Sequence, residues 1–178
     1  MKVVLINGAG GSGKDTLVEL LKTYFLSENI VENISTIDDV KFLAHRMGWD
    51  GVKDEKGRQF LADLKTAWTK YNNGANERIL ERIIRWNNDE NISSKEYIVF
   101  VHCREPEALQ WFIEKLEKRH IDVCSLLVER PGIEEFSNSA DKRVEQFEYD
   151  TIIQNNGTLE HLEKIAKEIS ISIKKWSF

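Results

Sequence analysis

Residues 8–16 read Gly-Ala-Gly-Gly-Ser-Gly-Lys-Asp-Thr and follow directly on the apolar run Val3-Val4-Leu5-Ile6. Glycines at 8 and 13 with a lysine at 14 are the residue types that a phosphate-binding loop needs, at the spacing it needs them. The backbone of such a loop curls through conformations that a Cβ would block, so that successive N–H groups point inward at phosphate oxygens. Lys14 is placed to reach the β- and γ-phosphates of a nucleotide, and a helix starting near it adds its positive end at the same spot. Gly8, Gly10, Gly11, Ser12, Gly13, Lys14, Asp15 and Thr16 are therefore the candidate nucleotide-binding residues. Position 15 carries Asp where a Ser or Thr hydroxyl normally holds Mg²⁺, and the hydroxyl arrives one residue later, at Thr16. Thr16 is expected to contact phosphate or metal, and Asp15 to order a metal-bound water.

The same glycines carry a competing reading. Gly8, Gly10 and Gly13 also spell the dinucleotide fingerprint G-x-G-x-x-G, with Asp38 where a ribose-binding acid could sit. Lys14 has no role in that reading, and a long helical stretch separates Asp38 from the next strand, where a dinucleotide fold would turn quickly into another strand.

The elements that must position the loop are legible in the apolar spacing. Lys2 to Asn7 reads as a buried strand closed by glycine, and Thr16 to Leu26 as a helix with Leu17, Leu20, Leu21 and Tyr24 on its stripe. Ile34 to Ile37 is a second strand candidate. Asp38 or Asp39 can cap a helix that carries Val40, Leu43, Ala44 and Met47 and stops at Gly48. Phe60, Leu61, Leu64, Ala67, Trp68 and Tyr71 form one amphipathic face, and Ile79, Leu80, Ile83 and Ile84 another. Strands resume at Tyr97–Val101, Val123–Val128 and Tyr149–Gln154, with helices over Glu105–Lys118 and after Gly157. Strands linked mainly by helices imply a parallel sheet with helices on both faces.

Ligands of open parallel sheets bind beyond the carboxyl ends of the strands. The segments there supply Arg104, Arg130, Lys142 and Arg143, cations suited to charge spread over a transferring phosphoryl group. Arg104 and Arg130 could instead cap strands or pair with Glu105 and Glu129, and Lys142 and Arg143 could be solvated loop charge. Arg58 can clamp an acceptor phosphate bidentately, with Lys53, Asp54 and Lys65 as secondary candidates; the alternative is an exposed helix arginine. Asp38 and Asp39 are candidates for the acceptor's sugar or base or for the in-line base, although an N-cap explains at least one of them. After the third strand His102 stands where a metal-organising acid is common, and Glu105 could substitute through water, which makes Asp15, Thr16 and Glu105 the metal candidates. Trp49, in a glycine-flanked loop, is the one tryptophan considered for stacking on a base; the others fall mostly on core stripes.

The chain has 178 residues and a formal charge of −5, which fits one domain and gives no extended duplex-binding surface. No partner nucleic acid is expected, and the ligand should be small. Cys103 and Cys124 lie in or beside strands and read as buried reduced thiols. The opening apolar run is too short for a signal segment, and no apolar stretch is long enough to span a membrane, so a cytoplasmic protein is expected.

Gly8 to Thr16, Arg-Glu-Pro at 104–106, Leu-Leu-Val-Glu-Arg at 126–130 and Tyr-Asp-Thr-Ile-Ile-Gln-Asn at 149–155 together resemble the nucleoside monophosphate kinase-like branch of P-loop kinases. Gly-Lys-Asp-Thr is similar to the loop of phage-type deoxynucleoside monophosphate kinases, and Gly-Lys-Asp also resembles animal-type phosphomevalonate kinases. The resemblance implies a P-loop three-layer α/β sandwich with a five-stranded parallel sheet in the order 2-3-1-4-5, ATP with Mg²⁺, and a phosphorylated acceptor. In that frame 1–178 is one domain, with a helical acceptor-binding insertion at about 39–92 and a short lid at about 130–147. Lys14, Arg104, Arg130 and Arg143 would be catalytic, and Asp38, Asp39 and Arg58 would hold the acceptor. The alternatives are a P-loop kinase for another phosphorylated metabolite, such as phosphomevalonate or dephospho-coenzyme A, and a nucleotide-binding regulatory module without turnover.

Overall fold

A computed structural model describes residues 1–89, 95–132 and 147–176. The chain alternates β1 (Lys2–Asn7), α1 (Lys14–Phe25), β2 (Asn29–Ser35), α2 (Asp38–Arg46), α3 (Glu55–Asn72), α4 (Gly74–Asn87), β3 (Glu96–His102), α5 (Pro106–Glu117), β4 (Asp122–Glu129), β5 (Thr151–Gln154) and α6 (Leu159–Lys175). The five strands form one sheet in the order β2-β3-β1-β4-β5. β1 runs parallel to both neighbours, Val4 facing Phe100 of β3 and Cys124 of β4, and β5 runs parallel to β4. The expected topology is the observed one. β2 begins and ends earlier than Ile34–Ile37: Ile30 and Val31 belong to it, the polar pair Glu32-Asn33 separates them from Ile34, and the chain turns at Thr36 and Ile37 into α2.

The chain divides into two compact units, Met1–Asn33 with Glu90–Phe178, and Ile34–Asp89. In the first, β1 is buried along its whole length, which is why its sequence is continuously apolar rather than alternating. Val4, Ile6, Ile98, Phe100, Leu126 and Val128 pack with Leu17, Leu21 and Phe25 of α1 and Leu162, Ala166 and Ile173 of α6. The alternate residues Val3, Leu5, Val99, Val101 and Leu127 are buried as well, and α5, with Leu109, Phe112 and Leu116 buried, packs against β4. Cys103 and Cys124 are buried free thiols. Burial, with the Asp150 carboxylate adding to it, pushes the Cys124 thiol far above its ordinary range, so it stays protonated.

The second unit has its own core of Val40, Ala44, Leu61 and Ala75, lined by Ile37, Phe60, Leu64 and Trp68. α3 turns into α4 at Asn73, a non-glycine residue at φ 55°, and Gly74 lies directly under the Trp68 ring. Tyr71, on the apolar face by spacing, is 85% exposed. It sits in the last turn of α3, past the packed stretch that ends at Trp68. All five tryptophans are half-buried, so none is a core residue in the full sense.

One buried cation ties the sheet to the last helix. Lys2 Nζ donates to the carbonyls of Ile173 (2.9 Å) and Lys174 (3.0 Å) at the C-terminal end of α6, where the helix dipole favours positive charge. Replacing Lys2 with Met leaves both carbonyls without this donor, and should lower stability by about 1–3 kcal/mol. Urea denaturation measures the loss, and an unchanged midpoint would refute the role of the pair.

Candidate functional site: the phosphate loop

The loop begins where β1 ends. Gly8 has φ 150°, and a Cβ there would meet Val128 O of the neighbouring strand at 2.5 Å and Ser12 Oγ at 2.6 Å, so glycine is required by close approach as well as by torsion. Gly13 is the N-cap of α1 at φ 94°, and a Cβ there would collide with the Asn155 amide. Gly10 differs from both, since a Cβ there meets nothing within 4 Å. The middle glycine of the dinucleotide fingerprint is thus not demanded by crowding in this chain. Ser12 N donates to Ala9 O at 3.2 Å, which closes the loop into a turn, and Lys14 Nζ donates to the same carbonyl at 3.2 Å. The ammonium therefore folds back over the loop at the start of α1, where anions are favoured.

Three asparagine and tyrosine side chains that the motif does not contain hold this loop. Asn7, 1% exposed, accepts from Gly8 N at 2.7 Å through Oδ1 and donates from Nδ2 to Arg104 O (3.1 Å) and to the Tyr149 hydroxyl (2.7 Å). Asn155, 3% exposed, donates from Nδ2 to Ser12 O at 2.8 Å and accepts from Gly157 N at 3.1 Å. Burial pushes the Tyr149 phenol up to about 12, outweighing the smaller lowering by its bond to Asn7, so it is neutral at physiological pH. Asp150 anchors the same segment, its carboxylate accepting from Ser125 N and Oγ at 2.7 Å each. Both amides follow an apolar strand run, but nothing in the sequence marks either as a support of the loop.

Asp15 and Thr16 are exposed in the first turn of α1. Asp15 Oδ1 lies 3.6 Å from His102 Nδ1, while His102 Nε2 lies 2.8 Å from Asn33 Oδ1. His102 at the end of β3 thus stands beside the loop, between the end of β2 and the start of α1. Glu105 is the N-cap residue of α5, followed by Pro106, and caps through its backbone alone. Arg104 is half-buried, and its carbonyl is held by Asn7. Arg130 is exposed and lies along Gly157, its Nη2 3.4 Å from where a Cβ of that residue would be. The alternative pairing of Arg130 with Glu129 gives way to a different contact, because Glu129 accepts from Gln154 across the β4–β5 pair. Arg143, Lys142 and most of the expected lid lie outside the described residues.

In the second unit the two candidate aspartates separate. Asp38 accepts from Ser35 N at 2.7 Å and faces Lys41 at 3.4 Å, a local role at the start of α2. Asp39 keeps one carboxylate oxygen, Oδ2, buried and without a hydrogen-bond partner. Arg58 is exposed in the first turns of α3, whose N-cap is Asp54, accepting from Gly57 N at 2.7 Å. Lys65 Nζ donates to the buried Thr36 hydroxyl at 2.9 Å. Trp49, considered for base stacking, is engaged locally: its Nε1 donates to Val52 O, and its ring lies 4.7 Å from that of His45.

Asp15 and Thr16 offer hard oxygens in the first turn of α1, which fit Mg²⁺ held largely by water and phosphate oxygens with one or two protein groups. Among the described residues no group of three His, Cys, Asp or Glu side chains could hold a metal ion by itself. Among them too, no helix is long and apolar enough to cross a membrane.

No protein-family model matches the chain, and no curated protein matches it in sequence. Solved structures do match. A tunicamycin resistance protein of Deinococcus radiodurans superimposes with a TM-score of 0.54 at 12% identity, covering 98% of this chain and 96% of that one. A gluconokinase of Sinorhizobium meliloti superimposes with a TM-score of 0.50 at 13% identity, covering 99% and 98%. At such identities the likeness concerns the fold. With the strand order and the loop after β1, it establishes a P-loop type α/β fold for this chain.

The crowding at Gly13 yields a test of the loop's support. Gly13→Ala should destabilise the protein by more than about 1 kcal/mol, from the positive φ and the clash together. In an Asn155→Ala background the additional loss should be smaller, because the colliding amide is gone. Strict additivity in a denaturation cycle would argue against the contact.

Proposed function

We propose that this chain is a small-molecule kinase that transfers the γ-phosphoryl group of ATP to a phosphorylated acceptor, with a nucleoside or deoxynucleoside monophosphate as the acceptor class. The observation that carries the reading is the Gly8–Lys14 loop at the carboxyl end of the central strand, with Lys14 folded onto it and α1 starting behind it. This arrangement supplies backbone N–H groups, one ammonium and a helix N-terminus to a triphosphate, and phosphoryl transfer asks chiefly for positioning and charge stabilisation. That one of the solved structures sharing the fold is by name a gluconokinase is consistent with a kinase. The acceptor class rests on the sequence resemblance alone.

In this proposal Lys14 and the loop amides hold the β- and γ-phosphates. Arg104, Arg130 and Arg143 stabilise the transferring group, and Arg58 holds the acceptor phosphate. Asp15 and Thr16 are the residues that would hold Mg²⁺, directly or through water, with Glu105 as a further candidate. Bound there, the metal supplies charge neutralisation at the β- and γ-phosphate oxygens. Asp39 is the better of the two aspartates for an acceptor hydroxyl, because Asp38 is engaged by Ser35 N and Lys41 at the start of α2.

A second reading, a nucleotide-binding module without turnover, is favoured by His102. An imidazole held between Asn33 and Asp15 stands where a metal-organising acid is common in P-loop proteins.

Lys14→Ala should abolish triphosphate binding with little change in stability, since Lys14 lies outside the apolar stripe of α1 and its ammonium folds onto the loop's own Ala9 carbonyl. Calorimetry that finds equal ATP affinity in variant and parent would overturn the phosphate-loop reading.

Arg58→Ala should lower kcat/KM for the acceptor by about 2 kcal/mol or more, the scale of a charge-assisted bidentate pair, while ATP affinity stays constant. A panel of phosphorylated metabolites scored for ADP release identifies the acceptor first. ATP binding without turnover on any of them would make the regulatory module the better reading.

A further inference from the structure

We infer that Tyr149 is a positioning residue of the phosphate loop, acting through Asn7 on the first peptide of the loop. The inference rests on the phosphate-loop reading and extends it to a residue 142 positions away in the chain.

The Asn7 amide has a single orientation compatible with its surroundings. Gly8 N–H can only donate and Arg104 O can only accept, so Oδ1 must face Gly8 and Nδ2 must face Arg104. The second Nδ2 hydrogen then points at the Tyr149 oxygen, 2.7 Å away. Both amide hydrogens are engaged, and the amide cannot flip without losing its bonds to Gly8 N and Arg104 O. The Gly8 N–H that it holds belongs to the residue where the backbone leaves the strand at φ 150°, pressed against Val128 O. The direction in which the loop departs therefore depends on this peptide, and the amides that follow inherit it.

Tyr149 is in turn held by the segment it belongs to. Phe147 packs edge-on against its ring at 4.9 Å, and Asp150 is fastened to Ser125 of β4. The same residues line an open pocket of about 570 Å³ with Gln110 and Ile113, so packing on one side of the ring is incomplete. The phenol stays neutral, since burial pushes it up to about 12. It consequently holds the Asn7 amide at every pH at which a nucleotide would be bound.

Tyr149→Phe removes the hydroxyl and keeps the ring, so the fold should survive. The variant and the parent are titrated by calorimetry with Mg-ATP, with inorganic tripolyphosphate and Mg²⁺, and with AMP, and thermal melts are recorded. The expected result is a loss of about two- to tenfold in affinity for ATP and for tripolyphosphate alike, the scale of one neutral hydrogen bond. AMP affinity and the ADP-to-ATP affinity ratio should be unchanged. Asn7→Ala should show at least the same loss, and the Asn7→Ala, Tyr149→Phe double variant should lose no more than Asn7→Ala alone. A merely structural tyrosine would lower the melting temperature and leave affinity untouched, and that outcome overturns the inference. So does a double variant whose losses add. A parent protein that binds neither ATP nor tripolyphosphate overturns the phosphate-loop reading itself, whereas a parent that binds both and a Tyr149→Phe variant that matches it overturns only the role of Tyr149.

Discussion

A loop that turns its backbone N–H groups toward a ligand cannot use those groups to hold itself together, so its shape must come from side chains behind and beside it. In this protein two buried amides meet that constraint. Asn7 grips the first peptide of the loop and the start of the segment after β3, and Asn155 grips the Ser12 carbonyl just before the helix begins. The Asn7–Gly8 and Asn155–Ser12 bonds form in the protein interior, where a polar group left without a partner is costly. The surrounding fold is organised to bring strand ends to these two residues.

The sheet order explains how that is done. β1 lies between β3 and β4, so the residues following β3 and β4 lie on either side of the loop that follows β1. From β3 come His102 and the Arg104 carbonyl, and from β4 comes the Val128 carbonyl against which Gly8 is pressed. β5 adds Asn155, with its backbone N–H on Glu129 O at 2.7 Å. The apolar interior supplies the rigidity: α1 and α6 pack on one face of the sheet, and Lys2 fastens the end of α6 to the first strand. The start of α1 thereby points at a fixed place, which an anion site made from a helix N-terminus requires.

The departures from the usual loop are chemically coherent. Asp15 in place of a hydroxyl puts a carboxylate in the first turn of α1, where the helix dipole favours it, and His102 faces it from β3. An acid and an imidazole thus stand at the two positions where a hydroxyl and an acid are expected from the sequence. In the second unit the Oδ2 of Asp39 is buried and Lys65 is bonded to the buried Thr36 hydroxyl. A buried acceptor without a donor is expensive, which is why Asp39 and not Asp38 stands out there.

Much of this was legible in the amino-acid order, for a definite reason. The phosphate loop is contiguous, its glycines answer local torsional demands, and its flanking strand and helix announce themselves by local apolar spacing. The same holds for the buried strands and the stripes of α1, α5 and α6, whose spacing is a property of each segment alone. The roles of Asn7, Tyr149 and Asn155 were not legible, because a side-chain amide or phenol has no function until something faces it. Apart from the adjacent Gly8 and Gly157, the partners that give them these roles lie 97 to 143 residues away. Nor could spacing separate Asp38 from Asp39, place Trp49 on Val52, or turn Arg130 toward Gly157. The sequence by itself determined that a phosphate loop exists and which elements carry it, since those follow from backbone torsion and apolar periodicity; the tertiary structure decided what holds the loop and which polar groups are left for a ligand, since hydrogen bonds between distant residues exist only once the sheet has brought the strand ends together.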